Sequence, residues 1–129
     1  MTTINHFIEE NELSVEVREN LGKHRFNTIE SIYKHDKDLV IVVSKFHDYS
    51  SGGGVARDSI LTVFFKGKVQ EKEWRYSDKW RASSDRWDLM LREVQKVKIE
   101  QKNSVTIVTV ECLGAVNYPN RVIEFSFVD

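Results

Sequence analysis

A single cysteine, Cys112, leaves no internal disulfide and no thiolate zinc cluster for this chain of 129 residues. A single proline, Pro119, leaves almost every segment free to carry regular backbone hydrogen bonds. No apolar run reaches the roughly 18 residues needed to span a membrane. The start, Met1 to His6, lacks the basic and apolar regions of a signal peptide. Charge of one sign is also missing: 19 basic side chains face 20 acidic ones, which excludes a uniformly basic nucleic-acid binder. These absences predict a soluble, cytoplasmic protein folding as a single domain over residues 1–129.

Alanine is scarce, and Leu, Ala and Met together number 12 against 25 Val plus Ile. β-Branched side chains lose rotamer freedom in helices and pack well on a pleated surface, so the composition favours sheet. The order of residues agrees. Ile29–Tyr33 and Leu39–Val43 flank a polar turn at 35–38, and Ile60–Lys66 and Val69–Tyr76 flank Gly67. Val94–Glu100 and Val105–Cys112 flank Lys102-Asn103-Ser104, and Arg121–Val128 alternates Ile123, Phe125 and Phe127 with polar residues. The expected fold is mainly β: an antiparallel sandwich or partly open barrel built from hairpins. Leu13, Val15 and Val17 alternate with polar neighbours and predict a further strand, broken at Asn20-Leu21-Gly22. Ile4, Phe7 and Ile8 fit one or two helical turns. Trp87, Met90, Leu91 and Val94 follow helical spacing behind Ser83-Ser84-Asp85, which favours a short helix near 84–95, while Trp87, Leu89 and Leu91 also alternate as a strand would.

Leu39–Val43 and most of Ile60–Phe65 are apolar on both faces, so each needs cover on both sides. A second sheet supplies one cover. The helix at 84–95, or a second copy of the chain in a homodimer, supplies the other.

Chemistry-bearing motifs are few. Gly52, Gly53 and Gly54 permit close backbone approach to an anion, with Arg57 nearby, but no phosphate-loop or dinucleotide fingerprint surrounds them. A mobile connector is the plainer reading of that loop. His47-Asp48 and His35-Asp36 lack metal-ligand spacing, and Cys112 sits in an apolar strand. No cofactor or metal is called for, and no catalytic residue is assigned.

Charge divides unevenly. Residues 66–102 carry 11 basic and 7 acidic side chains, and they hold all three tryptophans. Arg75, Lys79 and Arg81 alternate with Trp74 and Trp80, the composition of a surface for single-stranded nucleic acid or another polyanion. The competing reading places Trp74 and Trp87 in the core. The leading expectation is a non-enzymatic binding or protein-interaction module using residues 72–87, with a protein or polyanion as partner and no membrane. A small-ligand carrier with an internal apolar cavity is the alternative. An enzyme built on the His47–Arg57 glycine loop comes third.

Overall fold

The structure, a computed structural model, describes residues 3–26, 28–48, 56–74, 91–114 and 120–128, with the side chains of all but 46–48, 56–58 and 74. Among the described residues, two short helices precede seven strands. They are α1 (Ile4–Glu10), α2 (Val15–Lys23), β1 (Thr28–Asp36), β2 (Leu39–Asp48), β3 (Ala56–Phe65), β4 (Lys68–Trp74), β5 (Leu91–Lys102), β6 (Val105–Gly114) and β7 (Arg121–Val128). The strands form two antiparallel sheets, β1-β2-β3-β4 and β5-β6-β7, and the two are not joined into a closed barrel. The hairpin reading therefore holds, in the form of an open sandwich.

Turn chemistry fixes three of the hairpins. Asp38 donates its amide to the Asp36 carboxylate at 2.8 Å, which closes the β1–β2 turn. Lys66 and Asn103 take up left-handed backbone, with φ of 55° and 56°, at the β3–β4 and β5–β6 turns. Asparagine tolerates that conformation better than most residues, and Gly67 follows Lys66 at the other turn.

The two central strands of the four-stranded sheet, β2 and β3, divide their side chains between two cores. Leu39, Ile41, Val43, Leu61 and Val63 face the other sheet, where Val108, Val110, Ile123, Phe125 and Phe127 meet them. Val40, Val42 and Phe64 face the opposite way, onto Phe7, Leu13, Val17 and Leu21 from the helical segment. The two-faced strands thus find both covers within one chain. The second cover is α1 and α2, and neither a helix at 84–95 nor a second subunit is needed to hide Leu39–Val43.

Two expectations are corrected. Residues 13–18 are not a strand. Ser14 is the N-cap of α2, its hydroxyl accepting the Val17 amide at 3.4 Å, and Asn20-Leu21-Gly22 continues the helix. The apparent alternation misleads because Leu13 lies before the cap and Val15 is 65% exposed, while Val17 and Leu21 make the buried i, i+4 stripe. The helix expected near 84–95 is likewise overturned where it is described, since residues 91–95 open β5. Register shifts fall between Leu91 and Val94 and between Val94 and Lys96. Two successive bulges bring Leu91, Val94 and Val97 onto the core face at steps of three, which imitates helical spacing. Residues 84–90 lie outside the described residues.

Side chains lock the bulged start of β5 against the other sheet. Leu91 donates its amide to the buried Ser59 hydroxyl at 3.0 Å, and the Ser31 hydroxyl donates to the Arg92 carbonyl at 3.0 Å. At the opposite border, β4 and β7 are bridged by Gln70 and Lys72, whose nitrogens donate to the Ser126 and Glu124 carbonyls. Those carbonyls belong to β7, an edge strand among the described residues.

Candidate functional site

The helix-side core opens at one border into a shallow, solvent-open cleft of about 670 Å³, between the start of α1, the end of α2 and the chain leading into β1. Helix capping places its walls. The Thr3 hydroxyl accepts the His6 amide at 3.1 Å and starts α1, which sets Ile4 against the core. His24 ends α2 with extended backbone, its amide donating to the Asn20 carbonyl at 3.0 Å. From there Arg25 and Phe26 run toward β1, where Thr28 and Ile29 complete the wall.

The floor is apolar. Ile4, Phe26 and Ile29 pack on the helix-side core yet remain partly exposed at the cleft, beside the fully buried Leu21. Polar groups rim it: Thr3, Asn5, Thr28, His24 and Arg25.

His24 is held from behind. Its Nε2 lies 3.0 Å from Glu71 Oε2, and the same oxygen accepts the hydroxyl of the buried Thr62 at 2.8 Å. Thr62 and Glu71 are direct cross-strand partners on β3 and β4, so the sheet register itself aims the carboxylate at the histidine. The imidazole also packs against Phe26 at 4.5 Å between ring centres and edge-on against Phe64 at 5.5 Å. Contacts on three sides fix the ring at the cleft wall. Nothing local in the sequence signals this cluster. His24 and Glu71 are 47 residues apart, and neither stands in a recognisable motif.

The residues singled out from sequence fall differently. Lys79, Trp80, Arg81, Arg75, Gly52, Gly53 and Gly54 lie outside the described residues. Trp74 and Arg57 are described by backbone alone, opposite Ser59 and His47 respectively. His35 and His47 belong to opposite ends of the β1–β2 ladder, on the order of 24 Å apart at the usual rise of a strand, and so do not converge. Lys72, counted among the basic residues of 72–87, is spent on β7: besides its bond to the Glu124 carbonyl, its ammonium sits 4.9 Å from the centre of the Phe125 ring. Among the described residues, no group of three or more His, Cys, Asp or Glu is placed to hold a metal ion. Cys112 is buried, and desolvation pushes its thiol up to about 12.

One other surface stands out. The outer face of β5-β6-β7 carries Lys96, Lys98 and Lys102 in one column and the exposed Val122 and Val128 in another. Glu100 interrupts the lysines, 2.8 Å from Lys98 and 3.9 Å from Lys102, and these neighbours hold its carboxyl below the usual range. That column is a mixed-charge solvated face rather than a polyanion track.

No helix among the described residues is long and apolar enough to cross a membrane. Compared with protein-family models, curated proteins and solved structures, the chain matches none.

Proposed function

We propose that the protein is a non-enzymatic binding module and that its ligand seat is the cleft between α1, α2 and β1. One observation carries the reading: a cleft of about 670 Å³ with an apolar floor, a polar rim and a histidine fixed by Glu71 and the Phe26 and Phe64 rings. Ligand sites commonly occupy about 300–1,000 Å³, are largely apolar, and use a few placed polar groups for orientation. The carrier alternative gains from the same geometry but with a different seat. The space between the sheets is occupied by Phe125, Phe127 and their neighbours, whereas the helix-side cleft is open.

The test is a binding screen on isotope-labelled protein read by amide chemical shifts, with small amphipathic molecules, short peptides and a single-stranded oligonucleotide as its arms. The expected result is a set of binders whose shifts concentrate on Gly22, Arg25, Phe26, Thr28 and Ile29. Shifts confined to the oligonucleotide arm and falling with added salt would transfer the role to the basic aromatic run at 72–87. A screen with no binder at the cleft would end the present reading.

A further inference from the structure

We infer that the cleft takes a small apolar ligand bearing a carboxylate, and that Arg25 receives the carboxylate; the inference rests on the cleft being a ligand seat. Its charge inventory is one-sided. Arg25 and His24 line the cleft, and among the described residues no acidic side chain does. His24 brings no unbalanced charge, because its Nε2 is turned onto Glu71. Arg25 is different. It is exposed, and among the described residues it makes no ion pair or hydrogen bond. A guanidinium offers a planar fork of donors that matches a carboxylate in two parallel bonds, and it stays charged at any ordinary pH.

The second half of the match is the floor. Ile4, Phe26 and Ile29 border the helix-side core without being sealed into it. An alkyl chain or ring laid across them would remove that apolar surface from water, while the carboxylate reached the rim. A purely polar anion would leave the floor wet, and a neutral apolar molecule would leave Arg25 unused. The volume of about 670 Å³ leaves room for a short-chain amphiphile together with bridging water.

Octanoate, octanol and octylamine have the same tail and differ in the head group, so they separate the two halves. Each is titrated into the labelled full chain, with amide shifts at Gly22 and Ile29 as the readout. Octanoate is expected to bind at the cleft about tenfold more tightly than octanol, a modest ratio because the two parallel bonds form at an exposed guanidinium that solvent screens. Octylamine is expected to bind most weakly. Arg25→Gln should erase the preference for octanoate, with amide shifts on β6 and β7 unchanged as evidence of an intact fold. Equal binding of octanoate and octanol at the cleft would overturn the carboxylate assignment and leave the ligand seat standing. A preference that survives in Arg25→Gln would overturn the role of Arg25. Octanoate shifts absent from the cleft would overturn the inference, with the seat itself still judged by the broader screen.

Discussion

Lys72 lies with its ammonium 4.9 Å from the centre of the Phe125 ring and 2.6 Å from the neighbouring Glu124 carbonyl. A side chain from the outer strand of one sheet thus bonds to the outer strand of the other. Two strands that do not pair are held together by a lysine and a glutamine. Replacing Lys72 with alanine removes a hydrogen bond and a cation–ring contact, and should cost about 1 kcal/mol. Lys72→Met keeps the stem over the ring and should recover only part of that loss. Urea unfolding midpoints measure both. No change in either variant would show that the bridge is not maintained in solution.

The cap of α2 is a second point of leverage. Ser14→Ala removes the acceptor for the Val17 amide and should destabilise the fold by roughly 0.5–1 kcal/mol, toward the low end because the bond is long at 3.4 Å. Ser14→Asp should be tolerated, since aspartate caps as well as serine does. A strand at 13–18 would show the opposite preference, losing stability with aspartate and little with alanine.

His24, Glu71 and Thr62 form a chain across helix end, edge strand and inner strand. Thr62 is fully buried, so Thr62→Val deletes its hydroxyl from a site where the Glu71 carboxylate still has a histidine partner. The expected cost is about 1 kcal/mol. His24→Ala should cost a similar amount, and the double variant should cost more than the sum, because only it strips the shared Glu71 oxygen of both partners. Strict additivity in a double-mutant cycle would mean the shared carboxylate does not couple them.

Burial pushes the Cys112 thiol up to about 12, against about 9 for the free group. At pH 8 the native thiolate fraction is then roughly one in ten thousand, so alkylating reagents should label Cys112 only after unfolding. The sign for stability follows. The folded state holds the proton more tightly, so this group adds no pH dependence below about pH 9 and lowers stability as pH rises from about 9 to 12. Rapid labelling of the native protein at pH 8 would contradict the burial.

The hairpins were legible because their signals are local. The polar cluster at 35–38, Gly67, and the run Lys102-Asn103-Ser104 each sit where the backbone turns, and Ile123, Phe125 and Phe127 alternate into the core as written. Errors came where a local pattern had two readings. Leu13-Ser14-Val15-Glu16-Val17 fits a period of two, yet the serine could cap, and the free apolar face of β2 and β3 needed a helix. Leu91 and Val94 fit a helical period, yet bulges can set that spacing in a strand. The cleft was out of reach for another reason. Its fixed histidine depends on Glu71, its arginine matters for the company it lacks, and both are properties of distant segments brought together.

The layering has a consequence for the order of folding. The seven residues of α1 and the nine of α2 leave the ribosome before the strands they cover. Helices that short do not persist alone in water. Their apolar stripe finds Val40, Val42 and Phe64 only once β2 and β3 have paired. The segment made before the strands therefore finishes after them. Pulsed hydrogen exchange during refolding should protect the amides of β2 and β3 before those of α2, and early protection of α2 would require a different nucleus.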